Sequence, residues 1–413
     1  MKTTIQPDSH SGWGIVIGLA VVLCIIFGTT LNVLSVFTPP IQQAFQCSNE
    51  LAARVATVFL LAMTLAMPAA GWLLDRMSPR PVMTGGAALT VLGYLAAAQA
   101  GDIAQLTAML GVAGVGVGAS TYVPAITLAS QWIAPSRQAL AFGVLLAGAA
   151  LGAILFPLPI TYITQWLGWR YAMQAIAAVI AFTCVPILVW IARLPDSRLT
   201  APHGEPAPMP LHGHEIGEAL RMPRYWLWIV MLMLITLSSL GVYIALVPYL
   251  VSTGYSAERA AAIYMAIGAA TLVGNVLFGA LSNRWGAKAV LLMGTALGAL
   301  GILCLLAVGH QALGMMAIAL FSLIWGSTFN LANQLSPLLL AESMGQRNFG
   351  SLLGIGNLIS GVGSAFSPEA LGYLVDATHT YTIALAICAA LLVAALLPIS
   401  LLQRAAPDWE AAR

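Results

Sequence analysis

Ten residues, Gly71-Trp72-Leu73-Leu74-Asp75-Arg76-Met77-Ser78-Pro79-Arg80, join two long apolar runs. A second version stands at Gly279-Ala280-Leu281-Ser282-Asn283-Arg284-Trp285-Gly286-Ala287-Lys288. Glycine, leucine, an acid or amide, arginine and a closing cation recur at an offset of 208. The same offset carries Gly118-Ala119-Ser120 onto Gly326-Ser327-Thr328, and an offset of 207 carries Phe142-Gly143 onto Phe349-Gly350. Three matches at nearly one offset predict two halves in the same orientation, a parallel internal repeat.

The halves belong in lipid. Of 413 residues, 60% are hydrophobic and 7% charged, and the mean hydropathy is +0.91. A soluble domain carries roughly 25% charged residues, and so few charges cannot cover a water-exposed surface. A net charge of +2 is too weak an excess to expect nucleic acid as a partner. The five cysteines, Cys24, Cys47, Cys184, Cys304 and Cys388, read as small apolar residues, not disulfides or metal ligands.

With about 20 apolar residues needed per crossing, twelve stretches qualify: 13–38, 51–74, 81–100, 104–132, 138–162, 169–193, 225–251, 258–282, 288–308, 312–339, 348–372 and 380–402. The first is too long for the core of a signal peptide, so it reads as a retained span. Residues 194–224, rich in Pro, His and charge, divide six spans from six, with a short amphipathic helix expected near Glu215–Leu220. With the N-terminus inside, Lys2, Arg76, Arg80, Arg137, Arg193, Arg198, Arg221, Arg224, Arg284, Lys288, Arg347, Arg404 and Arg413 are cytoplasmic. Only Arg54, Arg170 and Arg259 then face outward. The expectation is an all-α integral membrane protein of twelve helices in two six-helix pseudo-symmetric bundles. Residues 1–193 and 225–413 form the bundles and 194–224 a cytoplasmic linker, with both termini cytoplasmic and the chain monomeric in a cell inner membrane.

The repeated loop reads as a gate. Gly71 and Gly279 admit close backbone approach. Asp75 at a helix end can take partners from Arg76, Arg80 or the N-terminus of a helix in the other half, and such contacts hold one state of a bistable pair. Asn283, beside Arg284 and Lys288, makes the second copy the weaker gate. A simple positive-inside anchor is the plainer reading. Gly148 and Gly152, and the glycines 350, 354, 356, 361 and 363, form small-residue faces that suit either tight packing or movement.

Inside the spans no Asp, Glu, Lys, Arg or His stands near the middle, where ionisable groups mark function. A proton would have to travel on a peripheral group or on the substrate's own acid. The candidate substrate contacts are Thr30, Asn32, Tyr122, Tyr243, Asn275, Trp325, Phe329, Asn330, Asn333 and Asn357, with Gln334 beside them. For any single amide, gluing helices together is the commoner role. Trp325, Phe329 and Asn333 share one helix face by i, i+4 spacing, and that stripe is the first choice. The linker histidines 203, 212 and 214 lack partners at ligand spacing, so no metal is expected, and no cofactor either.

The repeated loop resembles the signature of the major facilitator superfamily, over essentially the whole chain. Trp132-Ile-Ala-Pro135-Ser-Arg137-Gln-Ala-Leu-Ala-Phe-Gly143 and Glu218-Ala-Leu-Arg221-Met-Pro223-Arg224-Tyr225-Trp226 resemble segments of its monocarboxylate-carrier and oxalate–formate-antiporter branch. The resemblance implies a carrier of a small organic solute, a monocarboxylate or related organic anion first. Two departures count against a dicarboxylate: the branch's span-eight arginine position holds Asn275, and its span-eleven lysine falls near Gly356. Trp325 matches an aromatic of the oxalate-type pocket. A neutral or aromatic, drug-like solute is the alternative. No nucleophile with a base, metal cluster or phosphate-binding loop is visible, so neither an enzyme nor an ATP-driven pump is expected.

Overall fold

The computed structural model describes residues 10–195, 213–307, 314–365 and 367–402. Lys2, Arg198, Arg404, Arg413, His203, His212 and most of the linker lie outside them. The chain divides into two compact units, Met1–Leu211 with Arg347–Ile355, and His212–Gln346 with Gly356–Arg413.

The first unit holds α1 (His10–Thr29), α2 (Leu34–Phe45), α3 (Asn49–Leu74), α4 (Pro79–Ala97), α5 (Ile103–Ser120), α6 (Tyr122–Trp132), α7 (Gln138–Leu155), α8 (Pro157–Trp166), α9 (Trp169–Val179) and α10 (Val185–Ile191), the last two joined by a π-turn at Ile180–Cys184. The second holds α11 (Ile216–Ala219), α12 (Pro223–Ser252), α13 (Ala257–Trp285), α14 (Ala287–Leu306), α15 (Gly314–Thr328), α16 (Leu331–Met344), α17 (Phe349–Ala365), α18 (Ser367–Thr378) and α19 (Tyr381–Leu401). Only the start of α17 belongs to the first unit. Among the described residues, ten helical stretches are long and apolar enough to cross a membrane. The third and eleventh expected spans are the 19-residue α4, with Arg80 in its first turn, and the 17-residue α17.

Local chemistry sets the helix ends. Ser48, Asp102 and Ser256 accept hydrogen bonds from Leu51, Gln105 and Arg259 N–H at the starts of α3, α5 and α13. The expected linker helix is α11, where Glu215 and Glu218 form a capping box.

Among the described residues, four spans expected as single helices are broken. The first stops at Thr29, because the Asn32 amide donates to the Phe27 carbonyl at 3.0 Å and competes with the backbone ladder. The fifth breaks before Pro157, which cannot donate to it. The fourth breaks at Thr121 (φ −111°, ψ −110°), and the tenth between Thr328 and Leu331. Thr121 plus the repeat offset is Phe329, so the fourth and tenth spans break at the same place in the two halves. This break overturns the face assigned to Trp325, Phe329 and Asn333: Asn333 sits on α16, outside the helical register of α15.

Glycine holds the first unit tightly. A Cβ at Gly152 would stand 2.1 Å from the Cys24 carbonyl oxygen, and one at Gly148 2.3 Å from that of Ala20. Their small-residue face is therefore the seat of α1 on α7.

Candidate functional site

In the second unit an aromatic ladder crosses three helices. Phe321 and Trp325 stack on α15 with centroids 5.1 Å apart, and Trp325 meets Phe329 at 5.1 Å. Phe329 stacks on Tyr243 of α12 at 5.2 Å, and Tyr243 meets Tyr264 of α13 at 4.5 Å. The break after Thr328 lets Phe329 reach across to α12 while Trp325 stays under α14. A Cβ at Gly301 would lie 2.8 Å from the Trp325 Cβ, so glycine makes room for the indole. Trp325 is 1% exposed, whereas Phe329 and Tyr243 are half-buried. Against Trp325 and Phe329 lies a narrow cleft of about 10 Å³, also lined by Ser239, Thr295 and Thr328. Pockets for drug-sized ligands measure roughly 300–1,000 Å³, so a solute has to widen this one.

The two positions where the resemblance would place cations are filled in other ways. Asn275 is 1% exposed; its main-chain carbonyl accepts the Gln334 amide at 2.9 Å, while its own Nδ2 is buried without a partner. Gly356 faces an indole. A Cβ there would stand 2.0 Å from Trp228, which is fully buried and donates its N–H to the Ser336 carbonyl at 2.7 Å. A lysine at 356 would have to expel that ring. Asn330 is the residue before α16, with no side-chain cap bond, and Asn330, Asn333 and Asn357 are all half-buried.

The first-unit candidates are more self-contained. The Thr30 hydroxyl donates to the Ile26 carbonyl at 2.6 Å, and the Asn32 amide is spent on Phe27. Tyr122 is 7% exposed at the start of α6. Sequence reasoning missed Tyr264. A tyrosine eight residues into a helix reads as an interfacial belt residue, and only the packing of α12 on α13 brings its hydroxyl to that of Tyr243, with which it shares a hydrogen bond.

The repeated loops differ in their partners. Asp75 caps α3 and accepts three hydrogen bonds from the first turn of α17: Gly350 N–H at 3.0 Å, Ser351 N–H at 2.8 Å and the Ser351 hydroxyl at 2.5 Å. A helix N-terminus favours a negative group. The three bonds plus this field are worth roughly 2–4 kcal/mol before desolvation. Burial pushes the Asp75 carboxyl above its ordinary range, against the pull of those donors and of the Arg76 charge. Gly71 is obligatory there, since a Cβ would lie 2.0 Å from the Gly350 carbonyl oxygen. Arg76 lies over the Trp72 ring at 4.1 Å, and Arg80 is exposed. In the second copy Gly279 is buried, the Asn283 Oδ1 is buried without a hydrogen-bond partner, Arg284 is exposed, and Lys288 donates to the carbonyls of Ser400 and Leu402 at 2.7 and 2.6 Å. Lys288 thus caps the end of α19.

The sequence pattern of the Major Facilitator Superfamily matches residues 19–368. Monocarboxylate transporter 12 of Mus musculus is 26% identical over 412 residues, covering 92% of this chain and 83% of that protein. Monocarboxylate transporter 13 of Rattus norvegicus is 25% identical, with 95% and 89% covered. Among solved structures, the E. coli fucose:proton symporter FucP matches with a TM-score of 0.71 at 16% identity, covering 94% of this chain and 98% of that one. The proton:xylose symporter XylE bound to 6-bromo-6-deoxy-D-glucose matches with a TM-score of 0.72 at 14% identity, covering 93% and 94%. At such identities these structures speak for the fold alone. Fold, repeat and family agree: this multi-pass membrane chain belongs to the major facilitator superfamily, and it transports a small solute by alternating access.

Proposed function

We propose that the solute is a small monocarboxylate or related organic anion, bound without a fixed cation beside Tyr243, Phe329 and the cleft backed by Trp325. The observation that carries this reading is the gathering of three hydroxyl-bearing side chains, Ser239, Thr295 and Thr328, beside Phe329 in the wall of the cleft. The names of the relatives in mouse and rat point the same way. Asn330, Asn333 and Asn357 supply further amide donors, and Thr30, Asn32, Tyr122 and Asn275 serve chiefly to hold helices. With no ionisable side chain near mid-span, a proton travels as the substrate's own acid, or the carrier exchanges anions.

In the same reading Asp75 is the gate. It grips the start of α17, a helix whose remaining length belongs to the second unit. The Lys and Arg distribution supports cytoplasmic termini, and the chain works as a monomer in a cell inner membrane, with no nucleic-acid partner.

The test is uptake into proteoliposomes of labelled acetate, lactate, pyruvate, benzoate and oxalate, with and without a pH gradient. Saturable uptake of a monocarboxylate, lost in Phe329→Ala and weakened in Asn330→Ala, supports the reading. A second reading, a neutral or aromatic solute, is favoured by the indole that occupies the Gly356 position. It replaces the first if no acid is taken up while benzamide or a similar neutral aromatic is.

A further inference from the structure

A cation-free site has to hold a carboxylate by hydrogen-bond donors alone, and a pair of phenols in the second unit supplies such donors. Tyr243 and Tyr264 stand ring to ring at 4.5 Å with a 47° tilt, and their hydroxyls share a hydrogen bond. Two hydroxyls carry two protons, and one shared bond uses only one of them. The opposite neighbour of Tyr243 is Phe329, stacked at 5.2 Å and 26°, and Phe329 lines the cleft. Tyr243 is thus wedged between two rings, one from α13 and one from the break between α15 and α16. Both tyrosines are half-buried.

We propose that Tyr264 is a positioning residue for substrate: it donates its proton to the Tyr243 oxygen, so that the Tyr243 hydroxyl is turned and polarised to donate to the carboxylate of an organic anion resting against Phe329. This rests on the monocarboxylate reading above and names the residue that makes a neutral site selective for charge. The direction of donation follows from the occupant. An anion beside Phe329 attracts the Tyr243 proton, which leaves the Tyr243 lone pair facing Tyr264. Hydrogen bonds in such a chain strengthen one another in a site of low dielectric, and a hydroxyl donating to a charged acceptor is worth more than one donating to a neutral group. The pair therefore discriminates a carboxylate from an isosteric amide by more than shape.

The test compares Tyr264→Phe, Tyr243→Phe, the double variant and Tyr264→His in the full-length protein reconstituted in liposomes. Labelled lactate is the transported probe, benzoate the charged competitor and benzamide the neutral one. Tyr264→Phe removes one oxygen and keeps the ring contact. It should raise KM for lactate and weaken inhibition by benzoate about three- to tenfold, leave the maximal rate within about twofold, and leave inhibition by benzamide unchanged. Tyr243→Phe should do the same to a larger extent. The double variant should match Tyr243→Phe, because Tyr264 acts only through Tyr243. Tyr264→His, which keeps a ring donor, should recover part of the loss. Additive effects in the double variant, or equal weakening of benzoate and benzamide, overturn the proposal and leave the anion reading standing. If the wild-type protein takes up none of the acids, the anion reading falls and this inference with it. Should Tyr264→Phe fold poorly, the benzoate-to-benzamide ratio in Tyr264→His decides alone: a ratio between those of wild type and Tyr243→Phe, or equal to wild type, supports the relay, and one equal to Tyr243→Phe overturns it.

Discussion

The helix pair α3 and α5 in the first unit and its repeat, α13 and α15 in the second, began as the same structure and are joined by different means. In the first, Gly114 and Gly118 of α5 lie directly on the backbone of α3: a Cβ on either would stand 2.4 and 2.3 Å from the carbonyl oxygens of Phe59 and Met63. In the second, Gly114 has become Ser322 and Met63 has become Thr271. Thr271 now bridges the helices with a hydroxyl bond to the Gly326 carbonyl at 2.8 Å. The tight spot has moved to Gly274, whose Cβ would lie 2.1 Å from the Ser327 carbonyl oxygen. Above it the helices part, and an open apolar groove of about 890 Å³ lies along Ala266, Ala270, Ala319, Ser322 and Leu323. Without a hydrophobic force between helices in lipid, the distance of approach sets the strength of the pair. One pair is therefore zipped by backbone contact over its length, and the other is pinned at one end.

The largest expected effect breaks the zipped pair. Gly114→Ser copies the second half's residue into the first, and its Cβ meets a main-chain oxygen that cannot move alone. Overpacking of this kind costs upward of about 3 kcal/mol. We expect loss of folded protein, read as a collapsed monodisperse peak in detergent size-exclusion. In the other half, Gly326→Ala, at the position equivalent to Gly118, meets its nearest atoms at 3.1–3.2 Å. It should cost about 1 kcal/mol and leave the peak intact. Equal losses in both would show the two pairs to be equivalent.

A smaller contrast is expected between the gates. Asp75→Ala removes three hydrogen bonds from the first turn of α17 and should cut initial uptake about tenfold, while Asn283→Ala should stay within about twofold, because the Asn283 carbonyl oxygen has no bond to lose. The carboxyl gives this gate a pH dependence of known sign. Its pKa is raised where it is buried against α17. The gripped form therefore holds its proton to higher pH than a water-exposed aspartate, gains stability as pH falls through that range and loses it as pH rises. Asp75→Asn, neutral throughout, should flatten the dependence of uptake rate on pH above the ordinary carboxylate value of about 4. A slope unchanged by Asp75→Asn would assign it to another group.

The repeat and the membrane fold were legible because they rest on residue types no other role requires at that spacing, such as Gly71, Asp75 and Arg76 with Gly279, Asn283 and Arg284. That Asp75 could take a helix N-terminus as partner followed from its place at a helix end. The breaks at Thr121 and at Phe329–Asn330 were not legible. Neither Thr nor Phe interrupts a helix by propensity, and Pro124 lies three residues past the first break. Missing the second break misplaced Asn333, since i, i+4 reasoning holds only within one helix. Tyr264 was invisible for a related reason. Its partner lies on the preceding helix, and which faces of α12 and α13 meet depends on packing that periodicity does not report. The glycine at 356 read as the place of a missing cation, and that an indole lies there instead depends on Trp228, 128 positions upstream.

The smallest expected effect lies in the groove of the pinned pair. Ser322 is 8% exposed, and its hydroxyl is buried without a hydrogen-bond partner. In the first half the equivalent Gly114 has no side chain to satisfy. A buried hydroxyl left unbonded costs about 1–3 kcal/mol relative to a bonded one, and replacing it with an apolar group of similar size is neutral or stabilising. Ser322→Ala keeps the Cβ and removes only the oxygen. It should raise the melting temperature in detergent by about 2–4 °C, the shift about 1 kcal/mol gives in a unit of this size, with uptake unchanged. Ser322→Gly should give no such gain. It removes the same oxygen but also a methyl-sized contact, and it adds backbone freedom worth roughly 1 kcal/mol to the unfolded chain. If both variants melted below the wild type, the hydroxyl would have a bonding partner in the membrane, and the groove would be better described as occupied than as open.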